Sequence, residues 1–537
     1  LRGWEAIMEQ FDIVVVGAGV SGLYLLHRLR KDGWRVRVLE AGSDIGGTWY
    51  WNRYPGLRCD IESHQYSYSF DEALSREWTW SERYADREEI QRYLAHVAER
   101  YDLRRDITFN TRVTKASWDD AKGEWTLERT PGDKIVAKTV IMATGALSQP
   151  NLPDIAGIRD YKGPIYHTAV WPKDAIDFTG LDVGVIGTGS SAIGAIPLIA
   201  KKAKSLTVFQ RTANFVIPSF NKPMTAETDA AFKARQDALR EEMRSNMGGY
   251  LVTPESEPLM SQSREKVLET LERHYAVGGL AFSYNYPDVK LDRRANDIVA
   301  DFMRDKMRAR VKNKAVAEKL IPKGFLFGTK RLCVDNGYLE TFDRENVHLV
   351  DVNETPIERF DATGATVAGR HLKLDALVCA TGFDAVTGAL NHIDVRGRGG
   401  DSLKARWADG PSTYLGLSVA GFPNMFTIIG PQSPTILSNV IVSIEQHVEW
   451  VTDMLKAARA KGVTRIEATP DAEEAWNAKC AELVAQTFYP EAKSWYMGAN
   501  VPGKPRKMLA FVGGVGPYRE ICREVAAKGY EGFKLSA

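Results

Sequence analysis

The sequence predicts an α/β protein built on two doubly wound parallel units, with a helical insertion in the second. Three observations carry that prediction. A β-branched run closing on glycines, FDIVVVGAG (11–19), precedes helically spaced leucines and a second apolar run. The same order of strand, glycine turn, helix and strand recurs at 182–212. Two further apolar runs end in ATG, at Ala143–Gly145 and Ala380–Gly382, where a chain would leave the first unit and later return to it.

FDIVVV is a short continuous apolar run, as expected of a strand covered on both faces. VSGLYLLHRLRKDG keeps helical spacing and closes on Gly33, a helix stop. WRVRVLEAG is the next strand and completes a βαβ unit. DVGVIGTGSSAIGAIPLIAKKAKSLTVFQRT repeats the pattern. Residues from about 220 to 325 are rich in Glu, Lys, Arg, Ala and Met and run long distances without glycine turns; they read as a helical insertion forming a solvated cap. TVIM and ALVC lead into the two ATG turns. The expected organisation is two Rossmann-like dinucleotide-binding domains. The first is discontinuous, 8–146 with 384–537, and the second is 147–383.

The length, 537 residues, allows several domains' worth of core. Apolar residues at 44% and charged residues at 26% suit a globular chain. A net charge of +1 provides no field that would gather nucleic acid. No apolar run reaches the roughly 18 residues of a membrane span. No obligate protein partner is indicated. The five cysteines (Cys59, Cys333, Cys379, Cys480, Cys522) are odd in number, scattered and without a CxxC, which argues against a disulfide framework, a zinc site or a redox dithiol. A reducing, cytoplasmic setting is expected, and no metal site. The seven residues before Met8 lack a signal-peptide core and read as an expression remnant.

The two glycine turns differ in what they should bind. In GAGVSG, Gly17 allows the tight turn, Gly19 lets the backbone approach a pyrophosphate, Ser21 opens the helix and Gly22 lets that helix pack on the strand. The phosphates then face unpaired N–H groups at the positive end of the helix dipole. Glu40, 23 residues after Gly17, can accept from both ribose hydroxyls and would repel a 2′-phosphate, so this turn suits FAD or NAD. The second turn supplies Gly187, Thr188, Gly189, Ser190 and Ser191, with Ala192 in place of the third glycine. Here the corresponding position is Gln210, followed by Arg211 and Thr212. A guanidinium clamps phosphate bidentately, which favours NADPH. One FAD and one NADPH make a flavin reductase or monooxygenase. Without a dithiol to accept electrons, dioxygen is the expected acceptor.

Two longer stretches carry a resemblance. GGTWYWNRYPGLRCD (46–60) reads GGxWxxxxYPGxxxD, and YKGPIYHTAVWP (161–172) reads YxGxxxHxxxWP. With the two nucleotide turns, these resemble the fingerprints of type I Baeyer–Villiger monooxygenases; Tyr161 stands where the family pattern has Phe. FGTKRL, ATGFDAVTGAL, GPQSPTILSN and SWYMGANVPGKPR look most similar to the phenylacetone and steroid branch of that family, so the resemblance runs from about Phe11 to the C-terminus.

The resemblance implies a cycle. NADPH reduces FAD, reduced flavin and O2 form a C4a-peroxyflavin, and attack on a hydrophobic ketone gives an ester or lactone while NADP⁺ stays bound. It implies roles as well. Arg331 is the fixed cation that stabilises developing negative charge, worth about 3–4 kcal/mol of barrier, and Asp60 pairs with it. Lys330 joins Arg211 and Thr212 at the 2′-phosphate. Gly47, Thr48, Trp49, Tyr50, Trp51, Tyr66 and Val113 belong to the FAD site, whereas Tyr54 reads as a core aromatic. Trp495 sits on an exposed, mobile loop that closes over NADP⁺ and substrate. Thr435, Ile436, Leu437 and Val440 form part of the substrate wall. His167 is expected to hydrogen-bond within a linker that Trp171 and Pro172 pin, coupling the two nucleotide domains as a hinge rather than acting as a base. Sulfoxidation is a possible side activity. A flavin monooxygenase acting on sulfur or nitrogen shares both glycine turns and is the alternative. A non-catalytic NADPH sensor would have no use for Asp60 and Arg331.

Overall fold

The computed structural model describes residues 8–537; the segment before Met8, read above as a remnant, lies outside the described residues. The first sheet has eight strands. At its centre Glu9–Val16 pairs in parallel with Val36–Leu39 on one side and Lys134–Met142 on the other. The register sets Val16 beside both Leu39 and Met142, so three strands end together beneath the first glycine turn. An antiparallel extension, Arg112–Asp119 and Glu124–Thr130, continues the sheet. Two strands from the C-terminal third, Asp394–Arg396 and Met425–Thr427, also join it, pairing in parallel with Arg112–Asp119 and Lys134–Met142.

The second sheet is wholly parallel. Its strand order is Val347–Asp351, Ser205–Gln210, Asp182–Ile186, Ala376–Cys379 and Ile165–His167. Ile186 is in register with Phe209 and Cys379, which places the second glycine turn over the carboxyl ends of the central strands, the usual position for a ligand in an open α/β sheet.

The crossover from Gln210 to Val347 carries the insertion. It contains the helices Ala226–Ala234, Gln236–Ser245, Arg264–Val277, Arg293–Ala309 and Lys314–Leu320, and a two-strand ladder, Val216–Pro218 with Cys333–Asp335, closes its base. The solvated-cap reading needs correction. Met243, Tyr250, Phe282 and Phe327 are buried. The Asn439 amide donates to Gly248 O at 2.8 Å and Arg244 Nη2 donates to Ser69 Oγ at 2.8 Å, so the insertion packs against the first unit. Composition alone could not show this, because it does not tell which of the insertion's many apolar residues meet the first unit and which pack within the insertion.

Candidate active site and nucleotide cradles

The two glycine turns are built alike. Gly17 and Gly187 have φ of +107° and +111°, and a Cβ on either would stand 2.5 or 2.4 Å from a backbone carbonyl, Ala143 O or Ala380 O. Each turn feeds a helix, Val20–Lys31 or Ser190–Ala200, whose N-cap is a glycine with no capping side chain. Five other long helices are capped by Asp86, Ser263, Asp292, Asn439 or Thr469; Val515–Ala527 also starts on a glycine, but its first amides donate to Met247 O and Asn246 O. The two open ends are therefore free to bind phosphate.

The first cradle is enclosed. A Cβ on Gly19 would lie 3.3 Å from Gly47 Cα, so two backbones face each other across a narrow slot that suits a pyrophosphate. Below it the buried Glu40 accepts from the amides of Ala18 (2.7 Å) and Gly42 (2.6 Å). Burial pushes this carboxyl up, and the two amides, Arg112 and the Trp51 indole pull it back. Trp49, Tyr50 and Trp51 sit on one helical turn, Thr48–Trp51, with Thr48 exposed and Trp49 donating to the Tyr66 hydroxyl at 3.2 Å. Ser21 is buried in the helix start, and Val113 is buried on Arg112–Asp119, just beyond Thr111, whose amide donates to Glu40 O at 2.8 Å. These residues fit FAD.

The second cradle is open. Nothing lies within 4 Å of a Cβ placed on Gly189, and Ser190 is exposed. Thr188 Oγ1 donates to Thr212 O at 2.8 Å, tying the turn to the strand end that carries Arg211. Gln210 is buried and donates to Lys319 O at 2.7 Å, so its amide serves the fold. Arg211 is exposed; burial, and then the Arg211 charge, push Lys330 down to about 8. Two cations repelling each other beside an uncapped helix fit a phosphate of NADPH.

The two units meet at Asp60 and Arg331. Arg331 Nε donates to Asp60 Oδ2 at 2.7 Å and Nη2 to Oδ1 at 2.9 Å, a bidentate pair, while Nη1 donates to Ile436 O at 3.2 Å. Burial works against the guanidinium charge, but Asp60, helped by Tyr250 and Tyr496, holds Arg331 cationic. The pair is not sealed. The side chains keep 20% and 30% exposure, and Asp60 and Ile436 take three of the five N–H donors, leaving donors for a ligand oxygen. The first fingerprint also explains the approach of the units. Gly56 lies so close to Gly194 that a Cβ would stand 2.2 Å from Gly194 O, and the buried Tyr54 bonds Ser191. Ser190 Oγ lies 3.4 Å from Cys333 Sγ, two residues beyond Arg331.

Sequence reasoning missed the ring of phenols around Arg331. Tyr496 is within hydrogen-bond reach of the guanidinium, and Tyr250 and Tyr284 feel its charge. Tyr250 and Tyr284 stand 5.6 Å apart, Tyr489 and Tyr496 5.9 Å. Burial raises all four, Tyr496 to about 12, so the ring adds no negative charge. They come from three separate segments, and only Tyr496, adjacent to Trp495, carried a local signal. Of the expected wall residues, Thr435 and Ile436 are buried, while Leu437 and Val440 keep accessible surface.

The connector holds His167 where the two crossings meet. Its Nδ1 accepts from the Ala169 amide at 3.1 Å, so Nε2 carries the proton, facing Thr381 Oγ1 at 3.2 Å and Asn151 O at 3.4 Å. Burial pushes the imidazole down, toward the neutral form. Trp171 is buried against Tyr166 and Phe178. The expected exposure of Trp495 is corrected. It is half-buried on a short 3-10 turn, Trp495–Met497, with its ring 4.5 Å from Tyr496. Beyond it Asn500 accepts from Asn151 Nδ2 (3.0 Å) and donates to Phe383 O (2.8 Å), and Lys504 pairs with Asp384 at 2.6 Å, so the loop is tied to both crossings.

Comparison with known proteins places this geometry. Residues 14–252 match the family model of pyridine nucleotide-disulphide oxidoreductases; the described cysteines are all unpaired. An acetone monooxygenase (methyl acetate-forming) of Gordonia sp. (strain TY-5) is 42% identical over 98% of this chain and 99% of its own. Phenazine N-monooxygenase PhzNO1 of Lysobacter antibioticus is 40% identical over 98% of this chain and 97% of its own. A solved structure of oxidized steroid monooxygenase bound to NADP superposes with a TM-score of 0.94 at 47% identity, covering 98% of this chain and 99% of that one. Related to such enzymes along nearly its whole length, the chain belongs to the Baeyer–Villiger monooxygenase family.

Proposed function

We propose that this protein uses FAD, NADPH and O2 to convert a hydrophobic ketone into an ester or lactone. The observation that carries the reading is the half-open Asp60–Arg331 pair at the junction of the two nucleotide cradles. Bound FAD, reduced by NADPH, supplies the activated oxygen that is inserted beside the carbonyl. Arg331 stabilises the negative charge that gathers on the attacking oxygen and then on the former carbonyl oxygen. Asp60 holds the guanidinium in one orientation; leaving such a buried charge unpaired costs about 3–5 kcal/mol. The neutral phenols of Tyr250, Tyr284, Tyr489 and Tyr496 exclude water and face an apolar substrate, with Leu437 and Val440 on the wall. Glu40 selects an unphosphorylated ribose, while Arg211, Thr212 and Lys330 grip the 2′-phosphate. His167 donates one proton within the linker and gives up none to the reaction. Residues 8–146 with 384–537 act as the FAD domain and 147–383 as the NADP domain, in a cytoplasmic protein.

The 40% identity to an N-monooxygenase favours a second reading, oxidation at nitrogen or sulfur. Those products form without a carbonyl oxygen to stabilise, so Arg331 separates the two. The test supplies NADPH and O2 with cyclic, aryl and long-chain ketones, and with amine and thioether controls, and identifies products by mass spectrometry. A ketone-dependent ester, one oxygen heavier, is expected, with sulfoxide at most as a minor product. NADPH consumption giving only hydrogen peroxide with every ketone would overturn the reading.

A further inference from the structure

Two half-buried lysines stand out by what they lack. Among the described residues, the other lysines that are not exposed have an anionic or hydrogen-bonding partner: Lys115 faces Asp394, Lys233 Asp229, Lys306 Glu272 and Lys504 Asp384, while Lys507 bonds Asn477 and Pro411 O. Lys290 and Lys330 have neither carboxylate nor acceptor. Each lies against an aromatic ring instead, Lys290 Nζ 4.6 Å from the centre of Tyr284 and Lys330 Nζ 4.4 Å from that of Phe325. Burial pushes both down to about 8. A half-buried cation without a counter-charge loses part of its hydration at a cost, which a ligand bringing an anion would offset. For Lys330 that anion is the NADPH phosphate.

The same phosphate does not serve Lys290. Arg211 acts on Lys330 but not on Lys290. Lys290 instead lines a narrow cleft between Phe327–Thr329, just ahead of Lys330 and Arg331, and Thr487–Tyr489. Its stem crosses Gly328, where a Cβ would lie 3.4 Å from Lys290 Cε. Two chains of contact run from this cleft to Arg331. On one, Tyr489 stands 5.9 Å from Tyr496, which reaches the guanidinium. On the other, the Tyr284 hydroxyl donates to Leu437 O at 3.2 Å, next to Ile436, whose carbonyl accepts from Arg331. Lys290 and Arg331 thus lie on opposite sides of a cluster formed by Tyr284, Tyr489 and Tyr496.

We propose that Lys290 is a specificity-determining residue that binds a carboxylate at the far end of a ketone whose carbonyl sits at Arg331, so that the enzyme prefers keto acids with an apolar spacer over neutral ketones. The inference rests on the ketone oxidation proposed above. The carboxylate enters as the Thr487–Tyr489 rim gives way, and the ester formed retains it.

The test uses methyl ketones ending in a carboxylate, over a range of chain lengths, each beside its methyl ester. Wild type should show a KM for the best acid about tenfold below that of its ester, the size of one charge-assisted hydrogen bond. Lys290→Met should raise the acid's KM about tenfold while leaving kcat, the ester's KM and the KM for NADPH within about twofold, and Lys290→Arg should keep the acid preference. Equal shifts for acid and ester, a shift confined to NADPH, or no preference for any acid in wild type would overturn the role of Lys290 alone. Failure to insert oxygen into either partner of every pair, with flavin reduction intact, would overturn the ketone oxidation itself.

Discussion

The two glycine turns share one backbone solution and are put to different uses. Gly17 and Gly187 adopt nearly the same φ and press equally close to a carbonyl from the neighbouring strand. The differences lie around them. The first turn faces Gly47 across a slot and rests on the buried Glu40. The second opens outward, and its matching position holds a buried glutamine that bonds the fold, with the cations Arg211 and Lys330 beside the turn. An enclosed cradle suits a cofactor that stays, and an open cationic one suits a nucleotide that enters and leaves. On the proposed reading, the glycines set the approach to pyrophosphate and the end of the next strand sets which nucleotide is bound.

The largest expected effect comes from adding a methyl group at the shared position. Gly17→Ala should yield protein without FAD, seen in the flavin absorbance of the purified protein, because alanine meets both an unfavourable φ and the Ala143 carbonyl. Gly187→Ala should keep FAD and raise the KM for NADPH at least tenfold. If both variants lost FAD, the separation of the two cradles would fail. Next in size, Arg211→Ala should raise the KM for NADPH about tenfold and leave that for NADH nearly unchanged. Smaller is a pH effect. Lys330 grips phosphate only as a cation, so kcat/KM for NADPH should be level below pH 8 and fall as pH rises through about 8. Lys330→Arg should flatten that fall. Smallest, His167→Gln should bind FAD normally but lose a severalfold share of product per NADPH consumed, because it loosens the junction of Asn151 and Thr381.

Much of the fold could be read from the chain because parallel strands buried on both faces write themselves as continuous apolar runs, and because positive φ at Gly17 and Gly187 leaves few residue choices. The Asp60–Arg331 pair was reachable only through resemblance, since 271 positions separate its members. The phenol ring was not reachable. Tyr250, Tyr284, Tyr489 and Tyr496 converge through packing of the insertion on the first unit, and a buried tyrosine looks the same in sequence whether it fills a core or lines a site. Trp495 was misjudged for a related reason. Its glycine- and proline-rich surroundings suggested exposure, whereas Asn500 and Lys504 anchor the loop to the crossings.

The most direct test of the account is Arg331→Ala, with flavin reduction by NADPH followed in a stopped-flow instrument and ester quantified from the same preparation. Removing a preorganised cation of this kind costs roughly 3–4 kcal/mol of barrier. Flavin reduction should therefore stay within about tenfold of wild type, while ester falls at least a hundredfold and NADPH is spent on hydrogen peroxide. Ester formed at near wild-type yield would contradict the role given to the Asp60–Arg331 pair.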